Sequence, residues 1–194
     1  MRGKLIAFEG IDGAGKTTQA RRLVHALVQR GRPATYTKEP TDGPDGRRLR
    51  ASARAGRLPA EEELALFVRD RQAHVRELIL PALAQGVTVV VDRYFPSTAA
   101  YQGARGLDPA AILAQNEAFA PAPDLGVWID VEPAVGLARV RGRDAVENLF
   151  EQLGDLERCR EVFRAIERPW WRRFDGALEP DVLAAQITAA VDAC

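Results

Sequence analysis

Lys4-Leu5-Ile6-Ala7-Phe8-Glu9-Gly10-Ile11-Asp12-Gly13-Ala14-Gly15-Lys16-Thr17-Thr18 is the stretch whose reading decides the fold. A short apolar run ends in a glycine-rich turn, and an amphipathic helix pattern begins at once. Gly10 to Thr17 fits G-x-x-x-x-G-K-[ST], the phosphate-binding loop. Glycines let backbone N–H groups converge on a phosphate, and the helix N-terminus adds its positive end. Lys16 is placed to reach the outer phosphates, and the Thr17 hydroxyl can ligate Mg²⁺. At average residue usage the four fixed positions coincide by chance in fewer than about one in a hundred chains of this length. The strand before and the helix after make an ordinary strand–helix turn the weaker reading. Gly10 through Thr18 is therefore expected to bind a nucleoside triphosphate.

Downstream, Ala20, Leu23, Val24, Leu27 and Val28 repeat at helical spacing and stop near Gly31. Pro33 opens a second strand, Ala34 to Thr37, which runs into the turn-rich Lys38-Glu39-Pro40-Thr41-Asp42-Gly43-Pro44. A short arginine-rich helix is expected over about 45–55. A long helix follows over 61–84, with an apolar stripe through Leu64, Phe67, Val75 and Leu78, bent or ended by Pro81. Val87 to Val91 is a β-branched run of the kind buried on both faces of a parallel sheet. It ends in Asp92-Arg93-Tyr94, where the carboxyl end of a strand delivers side chains to a ligand crevice.

A further strand is expected at 125–131, and helices at 110–119, 134–142, 149–168 and 180–193. Arg143 to Asn148 reads as a mobile polar segment, the core of a lid at about 141–150. Trp170 to Phe174 is either a helix tail or a fifth strand. The strand is favoured because Pro169 and Asp175-Gly176 bracket it. Strands alternating with helices imply one domain over 1–194, a three-layer α/β fold with a parallel five-stranded sheet and helices on both faces.

At 194 residues the chain can bury a substantial core without staples. Its formal net charge is zero, so no global field argues for a nucleic-acid or membrane partner. Cys159 and Cys194 match no metal or redox spacing and read as reduced thiols of a cytoplasmic protein. No apolar run approaches 18 residues, and no secretory signal is expected.

Polar residues gather at strand ends and beside the loop. Phe67, Arg71 and His74 share one face of the long helix. Arg47 and Arg48 read as solvated surface cations, His25 as structural, and Trp128 as packing. Phe67 is read by itself as core before base-stacking platform, and His74 takes no role.

The run Phe8 to Gln19 resembles the opening of the thymidylate kinases, as do Glu39-Pro40 and Leu66-Phe67 with Arg71. The narrowest mark is Asp92-Arg93-Tyr94 followed by Ser97-Thr98-Ala99-Ala100-Tyr101-Gln102-Gly103, and Pro123-Asp124-Leu125 leading to Asp130-Val131 also fits. The likeness runs from Lys4 to about Phe150. It implies a P-loop kinase fold and the reaction ATP + dTMP → ADP + dTDP, with Mg²⁺, carried out by a homodimer. It further implies that Lys16 and Thr17 hold the ATP phosphates and the metal, with Asp92 and Glu39 organising arginines and the metal's water shell. Asp12 would accept the deoxyribose 3′-hydroxyl, and Arg50 and Arg93 the dTMP phosphate. Phe67 would stack on thymine while Arg71, Thr98 and Gln102 read its polar edge, and Tyr101 would sit under the sugar. Glu9 is left without a role.

Three departures from the family pattern stand out. Lys38 replaces a common arginine, Thr41-Asp42-Gly43-Pro44 replaces a frequent Gly-Gly-Thr, and Asp144-Ala145-Val146-Glu147 lacks one lid arginine. The family draws its transfer-stabilising arginine from the phosphate loop or from the lid. Gly13 occupies the loop position, which leaves Arg143 first, Arg141 second, and Arg139.

The chemistry is consistent with that reading. Two groups of charge −2 at 4 Å repel by about 4 kcal/mol in water and roughly four times that at an effective dielectric of 20. Converging cations are the direct remedy. The alternatives are another small-molecule kinase of the same fold, disfavoured if its acceptor is a neutral hydroxyl, and a nucleotide-dependent switch. The chain lacks the Asn-Lys-x-Asp signature of such a switch.

Overall fold

The computed structural model describes residues 2–141 and 153–194, with Arg141 described by its backbone alone. The phosphate-loop stretch forms strand β1 (Leu5–Glu9), the turn, and helix α1 (Lys16–Gln29). Then come β2 (Ala34–Lys38), α2 (Pro44–Ala55), α3 (Ala60–His74), a π-helical turn (Val75–Ile79), α4 (Leu80–Ala84), β3 (Thr88–Asp92), α5 (Phe95–Gly103) and α6 (Pro109–Glu117). The chain continues through β4 (Leu125–Asp130), α7 (Pro133–Arg141), α8 (Leu153–Ala165), β5 (Trp171–Asp175) and α9 (Pro180–Ala193).

The five strands form one parallel sheet in the order β2-β3-β1-β4-β5. β1, β3 and β4 are buried at every position. Because successive side chains of a strand face opposite ways, both faces of the sheet are covered. α9 packs on α1, while α3, α5, α6 and α8 pack among themselves. β1 lies between β3 and β4; from β1 the chain crosses to the edge strand β2, whereas from β3 it crosses back over β1 to β4. The crevice at the carboxyl end of β1 is thus the topological switch point, where open α/β sheets bind ligands.

The expected three-layer fold and its five-stranded sheet stand, including the strand at 171–175. One expectation is refined and one helix was not foreseen. The 61–84 helix is not regular: the Leu80 N–H reaches back to the Val75 carbonyl, five residues away, one residue before Pro81, which has no N–H to give. Helix α5 went unforeseen because every residue from Phe95 to Gln102 is buried, which leaves no polar face and no helical periodicity to read. The lid at about 141–150 falls almost wholly outside the described residues, as does the start of the helix expected from 149.

The loop itself is pressed against α7. A Cβ on Gly13, whose φ is +77°, would lie 2.1 Å from the Gly136 carbonyl oxygen, and one on Gly136 would lie 2.5 Å from that of Asp12. Position 13 can therefore carry no side chain in this arrangement, arginine included.

Candidate active site

Two adjoining cavities open at the carboxyl ends of β1, β2 and β3. The first is lined by the loop and the start of α1 (Asp12, Gly13, Gly15, Lys16, Thr17 and Thr18) and by Lys38 and Asp92 from the neighbouring strands. The second is lined by Phe67, Tyr94 and Tyr101, by Arg50 and Arg71, and by Glu63, Ser97 and Thr98. Asp12, Glu39 and Arg93 belong to both walls, so they mark the boundary.

In the first cavity Lys16 is buried, and its ammonium donates to the Ile11 carbonyl at 2.7 Å. Burial, with Arg93 nearby, lowers its pKa from 10.5 to about 8. The Thr17 hydroxyl donates to Asp92 Oδ2. Two hard oxygen groups side by side at the mouth of a phosphate loop suit Mg²⁺, which keeps several waters and takes few protein ligands. No group of three or more His, Cys, Asp or Glu side chains forms a metal cluster among the described residues. Gly10, Ile11 and Ala14 do not line this cavity, and Ile11 and Ala14 are buried in the core.

At the boundary Arg93 has a positive φ of 69°, unusual for a residue with a side chain. Its guanidinium donates to Asp12, and to the Ser97 and Tyr101 hydroxyl oxygens at 3.3 Å. The Tyr101 hydroxyl donates to Asp12 at 2.9 Å, and the Arg93 guanidinium lies 4.9 Å from the Tyr101 ring centroid. Glu9, fully buried below, accepts from the Tyr94 N–H at 2.9 Å and from the Ser97 hydroxyl. It thereby fixes the turn from β3 into α5 that aims Arg93. Burial raises the pKa of Glu9 from 4.5 to about 7, although Ser97 and Arg93 pull the other way.

The floor of the second cavity is a buried polar network. Arg71 is 1% exposed, and its Nε and Nη2 both donate to Glu39 Oε2, at 2.9 and 2.6 Å. Nη2 also donates to Thr98 at 2.9 Å, and Nη1 donates to Asn116 Oδ1 at 2.6 Å. His74 Nδ1 meets Glu39 Oε1 at 2.9 Å and its Nε2 meets Thr37 at 2.8 Å. Four of the five N–H donors of Arg71 are thus held before any ligand arrives, which fixes its plane. The Glu39–Pro40 peptide is cis. The loop beyond it is tied down by Asp70, whose carboxylate accepts from the Thr41 N–H at 2.8 Å and hydroxyl at 2.5 Å. That contact gives the Thr41 departure its structural reason. Arg50 braces the same loop through the Pro40, Thr41 and Asp42 oxygens at 2.7–2.8 Å.

Most of the sequence-derived site therefore converges. Phe67 lines the cavity instead of packing in the core. Gln102 is a correction: it does not line the cavity but stands behind it, fully buried, with Nε2 donating to Glu63 at 2.5 Å. Glu63, which also takes Arg57 and Arg105 at 2.6 Å, presents the carboxylate to the cavity in its stead. Arg139 reaches the Gly13 and Gly176 carbonyls at 3.3–3.4 Å. Arg143 lies outside the described residues, and so does the side chain of Arg141.

Sequence reasoning missed Asn116, Glu63 and the part played by His74. His74 carried a signal, since it shares a helix face with Arg71. Asn116 carried none, being 45 residues from Arg71 and on another helix.

Comparison with known proteins agrees with this geometry. A family model described as "Thymidylate kinase" matches residues 8–187. A protein named thymidylate kinase from Xanthomonas campestris pv. campestris (strain B100) is 51% identical over 189 residues, covering 97% of this chain and 83% of its own length. One of the same name from Xanthomonas oryzae pv. oryzae (strain PXO99A) is 50% identical with the same coverage. One from Akkermansia muciniphila is 46% identical over 190 residues, covering 98% of this chain and 92% of the relative.

Proposed function

The chain belongs to the thymidylate kinase family, and on that footing we propose how its residues divide the work. The reaction is transfer of the γ-phosphoryl group of ATP to dTMP, giving ADP and dTDP. The observation that carries the division is the pair of cavities meeting at Asp12, Glu39 and Arg93.

ATP phosphates lie in the loop, with Lys16 moving from the Ile11 carbonyl to the outer phosphates. Thr17 and Asp92 would hold Mg²⁺, which when bound would neutralise part of the phosphate charge. dTMP occupies the second cavity, its base on Phe67 and its polar edge against Arg71 and Thr98. Its phosphate is met by Arg93 and Arg50, and its 3′-hydroxyl by Asp12. Tyr101, already held against Asp12, fills the space beside the sugar. The acceptor is itself an anionic phosphate, so no strong general base is called for. Positioning and charge stabilisation supply the rate. Glu39 serves by holding Arg71 and the loop.

We assign the charge on the transferring group to Arg143, then Arg141. The support is sequence position, together with the steric exclusion of any side chain at Gly13. A homodimer in the cytoplasm is the working form we propose, by family resemblance, and light scattering checks the dimer.

The division of cavities is tested by steady-state kinetics. Phe67→Ala should raise the KM for dTMP while sparing that for ATP, whereas Lys16→Ala should abolish transfer without altering melting. An equal effect of Phe67→Ala on both substrates would overturn the assignment. Arginines that stabilise phosphoryl-transfer charge contribute about 10³–10⁵ in rate. Arg143→Ala should accordingly lower kcat steeply at a nearly constant KM for dTMP, measured at saturating ATP beside alanine variants at 139 and 141. Near-normal kcat in all three would remove the lid from the mechanism.

A further inference from the structure

Asp92, buried at the end of β3, accepts two hydroxyl hydrogen bonds on one oxygen. Thr17 donates to Oδ2, and so does Tyr36 on the neighbouring edge strand β2, at 3.2 Å. In the register of the two strands Tyr36 lies opposite Val90, two residues before the Lys38–Asp92 pair. The phenol therefore runs along the sheet toward the strand end. Its ring packs against the core, and the Arg21 guanidinium of α1 covers it at 5.0 Å from the centroid. Tyr36 does not line either cavity.

An aspartate χ2 is a broad, roughly two-fold torsion, so a carboxylate takes a fixed orientation only where hydrogen bonds impose one. Thr17 cannot be the sole anchor, because its hydroxyl oxygen is also the group that would meet the metal. Oδ1 of Asp92 accepts no hydrogen bond from the described residues, which makes it the oxygen able to meet a metal-bound water. We infer that Tyr36 is a positioning residue for the magnesium site: its hydroxyl pins Oδ2 of Asp92 so that Oδ1 faces the water shell of the nucleotide-bound ion. This rests on Thr17 and Asp92 being the metal's residues, as proposed above. Tyr36 touches neither substrate nor metal, and it acts through Asp92.

Tyr36→Phe deletes the hydroxyl and keeps the ring that Arg21 covers. Binding of a fluorescent ATP analogue, without dTMP, is titrated with Mg²⁺ for the wild type, Tyr36→Phe and Asp92→Asn. Partners that orient metal-binding groups are worth about 10–100-fold in metal affinity. Half-saturating Mg²⁺ should rise about tenfold in Tyr36→Phe and further in Asp92→Asn. Analogue binding in excess EDTA should stay unchanged for Tyr36→Phe. A Tyr36→Phe titration superimposed on that of the wild type, with Asp92→Asn displaced, overturns the role of Tyr36. Weakened binding of Tyr36→Phe in EDTA does the same, since the defect would then be one of packing. If Asp92→Asn also superimposes, the assignment of the metal to Asp92 falls, and the inference with it.

Discussion

Glu9 sits without exposed surface beneath Arg93, bonded to the Tyr94 N–H and the Ser97 hydroxyl. Its carboxyl has a folded-state pKa of about 7 against an ordinary 4.5, so the folded protein keeps a proton that the unfolded chain releases between those values. Stability from this group is complete below the ordinary value and is lost as the pH rises through 7. The loss is about 3 kcal/mol at roughly 1.4 kcal/mol per pKa unit. Glu9→Gln keeps an acceptor for the Tyr94 N–H and an amide for Ser97. Thermal unfolding at pH 5 and pH 8 should show a smaller fall in Tm for Glu9→Gln, which should melt above the wild type at pH 8. Parallel pH dependence in the two proteins would contradict this account of Glu9. No motif announces this role. The residue reads only as an acidic interruption of an apolar strand, and its partners lie 85 and 88 positions away.

Helix α7 and the phosphate loop meet backbone to backbone at Gly136 and Gly13, with no space for a Cβ on either. Gly136→Ala must push the loop away from α7. Overpacking of this kind costs about 1–3 kcal/mol. It should raise the KM for ATP at least several-fold, lower Tm, and leave the KM for dTMP nearly unchanged. Steady-state kinetics and a melting curve check the three together. The helices and strands that display a stripe, a β-branched run or a bracketing Pro and Gly were legible in the sequence: α1, β3, β4 and even β5. α5 was not, because a helix buried all round has no period to betray it. The π-helical turn before Pro81 was not legible either, since a proline marks a disturbance without saying how the chain absorbs it.

Across the whole molecule a net charge of zero conceals local convergence. Lys16, Arg50, Arg71 and Arg93 from four separate elements or turns line one continuous crevice, with Asp12, Glu39 and Asp92 set between them. Motif residues near in sequence to the loop and to Asp92-Arg93-Tyr94 gave most of this crevice away. The second-rank groups that hold them, Asn116 and Glu63, come together only through the packing of α3, α5 and α6. In the division of cavities proposed above, that rigid polar floor would set base selection. Arg71 is held by Glu39, Thr98 and Asn116 as a donor, which suits the carbonyl of thymine and opposes the amino group of cytosine. Uracil lacks only a methyl, and a methyl-sized pocket discriminates by about 10–200-fold. The most direct measurement is ADP release at saturating ATP across dTMP, dUMP and dCMP. The predicted result is rapid turnover of dTMP, measurable turnover of dUMP, and dCMP far below both. Turnover of dCMP as fast as that of dTMP would contradict it.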